Sequence, residues 1–502
     1  MGNILYFIFT IWKSKLSLLL LISLALFYKL TIYFSRDHSI KYYVSLDNVK
    51  TDLYLGNFYE TFQNSLEPIE YLRNIRMGKM VSKNEQNIIT SYKYSYFCSS
   101  KYILNNKSKK NQWNFNPPFY IISSYYDDRE SEYFSNNSVI QIIASAYNST
   151  YIHENKYFCH IFSSRSKRYL YSSPVMVRTL WNRAWDPRVS FYTSFLLTCP
   201  VITNSDIMYN LAGLYCPPKN ISLNVIQNPK LKEDSDIKIT ACVKGLDFEQ
   251  DISLKLLEWI EWQKQFGINH VTMYIYDVNE RAQRVLDYFV GTGFLTLIPI
   301  TLPGHQPNEP NTRRSFIKGN KQQKRRNELI SYNDCFYRHS KDSDYVLIID
   351  IDEIIVPLEH NTYQEMLLSI KDYKYTSFMV QNVFKFTSNV TTDNILPFSS
   401  HFYRSTISQG KEAYAKSFIR TKYASSVFTH FALHKQTNDS KKFYVPLQTA
   451  IKLHFKENCP EESMFECDRL IESSTKDDLL SSIAPNLRNK IKKIAISLNL
   501  IN

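Results

Sequence analysis

Glycine is scarce in this chain, with 11 residues among 502, and neither a GxGxxG pattern nor a P-loop pattern occurs. The glycine-rich turns that cradle phosphates in dinucleotide-binding proteins and P-loop NTPases are therefore not expected. Hydrophobic residues make up 44% of the chain and charged residues 21%. This composition allows a buried core and excludes a disordered protein.

The sequence also lacks a CxxC pair, although it has eight cysteines. This absence argues against a zinc ribbon and against a dithiol redox motif. An even number of cysteines fits disulfides formed in a secretory compartment, with buried free thiols as the alternative. Spacing alone does not pair the cysteines, which are Cys98, Cys159, Cys199, Cys216, Cys242, Cys335, Cys459 and Cys467.

The formal net charge is +13, and the basic residues are dense only at Arg313-Arg314 and in residues 318–326. We interpret this basic run as a solvated helix face. No nucleic-acid-binding module accompanies it, so nucleic acid is not predicted as a partner. An anionic membrane surface and a phosphate-bearing substrate remain open.

An apolar run at residues 16–34 carries Lys29 as its only charge. About 20 apolar residues span a bilayer, so the run is predicted to be a transmembrane signal anchor that follows a short cytosolic tail at 1–15. The alternative is a cleaved signal peptide. Residues 28–33, however, contain none of the small residues that a cleavage site needs.

Basic residues flank the apolar run almost equally, so charge alone does not orient it. The sequons and cysteines beyond the run favour a luminal, N-glycosylated body, and hence a single-pass type II membrane protein. The six sequons are at Asn106, Asn136, Asn148, Asn220, Asn389 and Asn438.

Four regions are expected after the anchor. Residues 35–90 are polar and form a stem. Residues 91–235 contain short aromatic and β-branched runs, which predict a β-rich accessory region. Residues 236–470 form the main domain, and residues 471–502 form a C-terminal helical tail.

Strands and helices alternate at the start of the main domain. This alternation predicts an α/β fold with a mostly parallel, right-handed sheet, whose ligands bind beyond the carboxyl ends of the strands. Asp277 and Asp350 both lie at such ends. The predicted strands are 237–243, 270–276, 294–300 and 345–349, and the predicted helices are 250–266, 281–290 and 321–339.

The strongest chemical signal is Asp350-Ile351-Asp352, which directly follows a buried strand. Unpaired carboxylates cannot stay buried, so the strand must reach the surface there. Two carboxylates at this spacing can bind one hard cation, Mg²⁺ or Mn²⁺, which would neutralise a departing diphosphate. A solvated acidic turn is the alternative.

A histidine late in the chain is a further candidate for metal or phosphate binding. In the strand 450–455, Ile451, Leu453 and Phe455 share one face, and Lys452 and His454 share the other. An imidazole beside a basic residue suits a site for Mn²⁺ and a diphosphate. A packed or surface histidine is the alternative, and it applies equally to His430 and His434.

An ordered set of segments resembles the domain of glycosyltransferase family 92. The resemblance covers residues 237–460 and includes neither the stem nor the accessory region. The segments that carry it are 257–262, 266–271, 274–277, 333–335, 345–353, 416–420 with His430, and 450–455.

The resemblance implies a GT-A type fold with a mixed sheet and an inverting, Mn²⁺-dependent galactosyltransferase. Such an enzyme uses UDP-galactose, or another UDP-sugar, and a glycan or glycoprotein acceptor in the Golgi membrane. It implies a metal and diphosphate site at Asp350 and Asp352, with His454 as a late ligand and Asp277 near uridine or ribose.

Inversion requires a general base for the acceptor hydroxyl, and Glu412 is the candidate. Lys416 and Arg420 are candidates for phosphate contacts. Ordinary surface charges are the alternative for all three residues.

Two rival functions are considered. A phosphohydrolase with a D-x-D strand end is disfavoured, because Glu353-Ile354-Ile355 follows the motif where such enzymes usually have Thr or Gly. The second rival is a catalytically inactive, membrane-tethered glycan-binding or scaffold protein on the same fold. The intact Asp350 and Asp352 argue against it.

Overall fold

The structure is a computed structural model. The predicted cytosolic tail, anchor and stem lie outside the residues that it describes. Among the described residues, no helix is long and apolar enough to cross a membrane. The described residues are 103–104, 112–134, 138–166, 168–201, 207–213, 216–217, 220–221, 224–226, 236–371, 373–386, 396–399, 401, 403–406, 410–456, 464–483 and 485–501.

Two antiparallel sheets dominate residues 112–226, with strand orders β2-β3-β4-β8-β7 and β11-β9-β5-β6. They form a sandwich, because alternating residues of β4 and β8 such as Ile142 and Leu197 pack with Ile161 and Tyr209 of the second sheet. The elements of this part are β1 Ile103–Leu104, β2 Asn114–Asn116, β3 Phe119–Asp127, β4 Val139–Tyr147, α1 Ser149–Glu154, β5 Phe158–Ser163, β6 Tyr169–Pro174, β7 Met176–Thr179, β8 Tyr192–Pro200, β9 Ile207–Ala212, β10 Asn220–Ile221 and β11 Asn224–Val225.

A seven-stranded mixed sheet forms the centre of the main domain. Its strands are, in order, β14, β13, β12, β15, β20 (Lys416–Arg420), β17 (Tyr375–Val380) and β23 (Lys441–Val445). The four strands β14, β13, β12 and β15 are parallel, as the sequence predicts, whereas β20 is antiparallel to both β15 and β17. The elements of the main domain up to the Asp350-Ile351-Asp352 motif are β12 Ile239–Phe248, α2 Ser253–Gln265, β13 His270–Val278, α3 Glu280–Gly291, β14 Leu295–Pro299, α4 Pro310–Gly319, α5 Lys321–His339 and β15 Tyr345–Ile348.

A second mixed sheet, of order β16-β24-β18-β19-β25, begins where β15 ends. Its central strand β24 pairs antiparallel with β16 and parallel with β18. The expected helical tail contains α8, α9 and the strand β25. The remaining elements are β16 Glu353–Pro357, α6 Tyr363–Ser369, β17 Tyr375–Val380, β18 Asn382–Phe386, β19 Tyr403–Ser405, β20 Lys416–Arg420, β21 Ala424–Val427, β22 Ala432–Lys435, β23 Lys441–Val445, β24 Ala450–Lys456, α7 Met464–Glu472, β25 Ser474–Lys476, α8 Leu479–Ile483 and α9 Leu487–Ser497.

Successive residues of the central strands face opposite layers. Ala241 and Val243 of β12 belong to the core that contains α2 and α3, whereas Cys242 belongs to the core that contains α5. The outer side of α5 packs on the accessory sandwich, through residues such as Ile143 and Leu196. The helix α5 therefore lies between the central sheet and the sandwich.

The motif Asn333-Asp334-Cys335 on α5 holds these layers together. Asp334 accepts hydrogen bonds from Tyr125 of the sandwich, at 2.7 Å, and from Tyr274 of β13. The side-chain amide of Asn333 donates a hydrogen bond to the Val427 carbonyl and accepts one from the Val427 backbone N–H. Cys335 forms a disulfide with Cys242. The motif is therefore structural.

The basic run does not form one solvated face, so that interpretation is wrong for two of its members. Arg313 is buried and pairs with Asp247 at 2.8 Å. Arg326 is fully buried, pairs with Asp186 at 3.1 Å and lies over the ring of Trp181. Arg314 is half-buried and pairs with Asp247 and Asp277, whereas Lys318, Lys321, Lys324 and Arg325 are exposed.

Two disulfides have both of their cysteines within the described residues. Cys159–Cys199 joins the two sheets of the sandwich, and Cys242–Cys335 joins β12 to α5 across 93 residues of sequence. A link that closes a long loop restricts the unfolded chain, which stabilises the folded state.

We expect Cys335→Ala to lower the free energy of unfolding by about 2–5 kcal/mol, because it removes the Cys242–Cys335 link. Cys242→Ala should cost about the same. The double variant should cost little more than either single variant, because each change breaks the same bond. Thermal unfolding of the three variants tests this. Additive losses, or no loss, would contradict the assignment.

Candidate functional site

The Asp350–Asp352 turn lies at the carboxyl end of β15, where the buried strand gives way to half-buried residues. The turn is closed by a hydrogen bond from the Glu353 backbone N–H to the Asp350 carbonyl, at 3.1 Å. β16 begins at Glu353, which lies opposite His454 of β24 in the antiparallel register. Sheet pairing therefore brings the late histidine to the acidic turn.

Asp352 and His454 are in direct contact. The His454 Nε2 atom lies 3.2 Å from Asp352 Oδ2, and the Asp352 side chain is 49% exposed. Burial opposes ionisation of Asp352, but the hydrogen bond from His454 lowers its pKa to about 2. Burial, reinforced by Lys452, lowers the pKa of His454, so its ring is neutral near pH 7.

Asp350 is surrounded by hydrogen-bond donors and ammonium groups. Lys416 Nζ lies 3.0 Å from Oδ2, Lys244 Nζ lies 3.3 Å from Oδ1, and the Tyr332 hydroxyl donates to Oδ1 at 2.9 Å. Burial would raise the pKa of Asp350, but the two ammonium groups hold it well below its usual range. Asp350 is therefore ionised, and the ammonium groups of Lys244 and Lys416 neutralise its negative charge.

Glu353 is the second buried anion of the site. Its carboxylate contacts the Lys452 ammonium, lies 3.5 Å from Lys416 Nζ, and accepts from the backbone N–H of Asp350 at 3.2 Å. Lys244 also pairs with Glu328, at 3.1 Å. We refer to Lys244, Lys416 and Lys452 with Asp350, Glu353 and Glu328 as the lysine–carboxylate cluster.

Sequence reasoning missed Lys244 and Tyr332. Lys244 lies in the middle of β12, two residues beyond Cys242, the last residue that pairs with β15. Because it directly follows the strand expected at 237–243, the rule that ligands bind beyond strand ends could have indicated it. Tyr332 is buried on α5, in a long helix whose apolar pattern does not distinguish it. Lys452 was expected on a polar face, but it is fully buried against Glu353.

Asp277 lies at the carboxyl end of β13, as expected, and pairs with Arg314. Arg314 also lies 3.2 Å from Asp247. Asp277 is thus part of an ion-paired group at the sheet edge. The structure does not bring it into contact with Asp350 or Asp352.

Glu412 lies on a surface segment before β20. Its carboxylate lies 3.1 Å from Lys442 Nζ and accepts from the Tyr444 hydroxyl, and the side chain is 50% exposed. Burial opposes ionisation, but Tyr444 and Lys442 hold the pKa of Glu412 below its usual range. Arg420 donates to the Tyr373 carbonyl at 3.3 Å, at the opposite end of β20 from Lys416.

The other two histidines differ in position. His430 Nδ1 lies 2.5 Å from the carbonyl oxygen of Ala415, the residue before Lys416, and burial lowers the pKa of His430 to about 4. His434 bonds Ser426 at 2.6 Å, and burial lowers its pKa to about 3. His430 therefore borders the cluster, whereas His434 is structural.

The Asp352 and His454 side chains offer ligand atoms that suit a divalent cation. His454 Nδ1 is buried without a hydrogen-bond partner and lies 3.8 Å from Glu353 Oε1. If Nε2 binds a cation, the ring proton moves to Nδ1 and faces Glu353, an arrangement common around metal ions. In the described part of the chain, no three such side chains already converge on one point.

A model of glycosyltransferase family 92 matches residues 237–491, just over half of the chain. The match contains Asp350, Asp352, His454 and the whole lysine–carboxylate cluster. The accessory sandwich lies outside it. A search of curated proteins finds no match.

We expect Asp350→Asn to destabilise the fold by about 3 kcal/mol or more, because it leaves Lys416 buried without its main partner. Asp352→Asn, whose carboxylate is half exposed, should cost about 1 kcal/mol or less. The stabilisation by Asp350 should be present above about pH 4 and be lost as the pH falls further, because folding lowers its pKa.

Denaturant unfolding of both variants across pH 3–7 tests this contrast. Equal stability of Asp350→Asn and wild type at neutral pH would show that the cluster does not depend on Asp350.

Proposed function

Because the chain belongs to glycosyltransferase family 92, we propose that it transfers galactose from UDP-galactose to a glycan or glycoprotein acceptor, with inversion and with a divalent cation. The glycosyltransferase class follows from the family. The donor sugar, the inversion and Mn²⁺ rest on the resemblance. The observation that supports the proposal most is the contact of Asp352 with His454 beside the lysine–carboxylate cluster.

The lysines at the turn suit a diphosphate. Lys244 is 27% exposed and lies with Lys416 on the two sides of Asp350. Ammonium groups bind phosphate oxygens as point charges, and they require no glycine-rich loop. In the central sheet, β12 lies between β15 and β13. The Arg314–Asp277 pair, at the carboxyl end of β13, is our candidate for binding the uridine end of the donor.

Asp352 and His454 are the proposed first ligands of the cation, and Asp350 is the third. The ion would supply positive charge for the departing diphosphate. Asp350 can bind the cation only if Lys244 and Lys416 turn away from it toward the phosphates. The negative charge of the phosphates would then pair with the two lysines in place of Asp350. Asp352, half exposed and ionised, needs no such exchange.

In the transfer, an acceptor hydroxyl oxygen forms a bond to the anomeric carbon as the bond from that carbon to the diphosphate breaks. The bonding electrons leave with UDP, and a base takes the hydroxyl proton. Glu412 is the candidate base, because its half-exposed carboxylate lies on the segment that leads to Lys416.

We also propose that the body lies in the Golgi lumen behind the anchor at 16–34. Disulfides persist in oxidising compartments, and the Cys159–Cys199 and Cys242–Cys335 links fit such a compartment. Asn438, one of the sequon asparagines, is exposed.

Asp352→Asn should reduce UDP release from UDP-galactose by roughly 10²–10³-fold, because it removes charge stabilisation of the leaving group. His454→Ala should raise the Mn²⁺ concentration needed for half-maximal rate much more than it raises the acceptor KM. Asp287→Asn, at an exposed carboxylate on α3, is the matched control and should leave both unchanged.

A panel of UDP-sugars, with and without EDTA, identifies the donor and the metal requirement in the same assay. Full activity in EDTA would refute the metal role. No UDP release by the wild type from any donor would favour the inactive scaffold protein.

Treatment of the expressed full-length protein with an N-glycosidase should lower its apparent mass, because the sequons beyond residue 34 would face the lumen. Asn438→Gln should reduce the mass difference by the mass of one glycan. Electrophoretic mobility with and without the glycosidase measures the mass difference for the wild type and the variant. An unchanged mobility, with the body open to protease from the cytosolic side, would overturn the topology.

A further inference from the structure

An exposed tryptophan from the accessory sandwich borders the catalytic domain. Trp185 lies in the loop between β7 and β8 and is 43% exposed, the highest value for any tryptophan in the described part of the chain. A single exposed apolar residue is ordinary on a protein surface. The position of Trp185 and the rigidity of its loop make it unusual.

The loop that carries Trp185 is tightly anchored to α5. The Trp181 indole N–H donates to the Asp186 carbonyl at 2.9 Å. Asp186 pairs with Arg326, whose guanidinium lies between the rings of Trp181 and Phe191, at 4.1 and 4.3 Å from their centroids. Buried charge pairs and cation–π contacts of this kind fix a loop, so Trp185 is held in place.

Trp185 lies close to the lysine–carboxylate cluster. Its ring centroid is 4.8 Å from that of Phe428, nearly perpendicular to it, and 5.5 Å from that of His430. His430 bonds the Ala415 carbonyl, and the next residue, Lys416, pairs with Asp350. A short chain of contacts therefore connects the tryptophan to the acidic turn.

His430 presents an acceptor atom beside this ring. The Ala415 carbonyl can only accept a hydrogen bond, so His430 Nδ1 carries the ring proton and Nε2 keeps its lone pair. A sugar ring has a flat C–H face and hydroxyl groups at its edge. An indole face beside an imidazole lone pair matches both features.

We propose that Trp185 and His430 form the acceptor subsite, where Trp185 stacks on the apolar face of the acceptor sugar and His430 Nε2 accepts from one of its hydroxyls. The proposal rests on the proposed glycosyltransferase function and adds the substrate class of this surface. It assigns part of the active site to the accessory sandwich, outside the family domain.

The test measures sugar binding by the purified full-length protein without any donor. The probes are the methyl glycosides of galactose, mannose, N-acetylglucosamine and fucose. Saturation-transfer NMR measures the affinity of the protein for each probe. Trp185→Ala should weaken binding of the best probe by about tenfold or more. Trp185→Phe, which keeps an aromatic face, should retain part of the affinity. Tyr151→Ala, at a residue 54% exposed elsewhere on the sandwich, is the matched control and should bind as wild type does.

UDP release from the donor in the absence of acceptor is measured on the same variants. With the best-binding glycoside as acceptor, Trp185→Ala should raise the acceptor KM about tenfold or more, whereas Tyr151→Ala should leave both the hydrolysis and the KM at the wild-type values. Thermal unfolding at the wild-type midpoint shows that Trp185→Ala is folded. Equal probe affinity in Trp185→Ala and wild type, or no binding of any probe by the wild type, would overturn the proposal.

The two proposals fail differently. If the wild type binds a probe through Trp185 but releases no UDP from any donor, the transferase function fails and the sugar subsite stands. If UDP release is normal and Trp185→Ala leaves the acceptor KM unchanged, only the subsite fails.

Discussion

The neutralisation of buried carboxylates at the end of β15 is the constraint around which the catalytic domain is arranged. Burying an unpaired carboxylate costs several kcal/mol, so Asp350 and Glu353 are tolerated only with partners in place. These partners come from separate parts of the fold. Lys244 belongs to β12, Tyr332 to α5, Lys416 to β20 and Lys452 to β24. The cluster therefore forms only when both sheets and α5 are assembled.

The same assembly positions the accessory sandwich. Asp334 and Cys335 on α5 fix the helix to β13, β12 and the sandwich, and Arg326 on the same helix holds the loop that carries Trp185. The same helix thus anchors Trp185, a residue outside the family domain, at the border of the catalytic domain. There Trp185 contacts Phe428 and His430, and no catalytic sequence pattern reveals it.

Local patterns predict the parallel half of the central sheet well. The helix expected at 321–339 matches α5, and the strand expected at 345–349 differs from β15 by one residue. Both segments have strong apolar patterns and clear ends. Gly267, the residue after the helix expected at 250–266, lies just beyond α2 with a φ of 91°, which favours glycine.

The rest of the site depends on contacts between distant segments. The contact between Asp352 and His454 could be anticipated, because both were assigned to one metal site through the family resemblance. Tyr332 could not, because nothing in the apolar pattern of α5 distinguishes it. Lys244 directly follows the strand expected at 237–243, so the rule for strand ends could have indicated it, although not its pairing with Asp350. The burial of Arg313 and Arg326 is also not visible in the sequence, since a dense basic run conceals which members meet an aspartate from a distant segment.

Whether the acidic turn holds a cation together with UDP is tested most directly by crystals of the full-length protein grown with UDP and Mn²⁺, with anomalous scattering recorded at the manganese edge. We expect one strong peak roughly 2–2.5 Å from both an Asp352 carboxylate oxygen and His454 Nε2, with Lys244 turned to the diphosphate. UDP bound without a peak at this position, or with the manganese peak elsewhere, would show that Asp352 and His454 do not hold the cation.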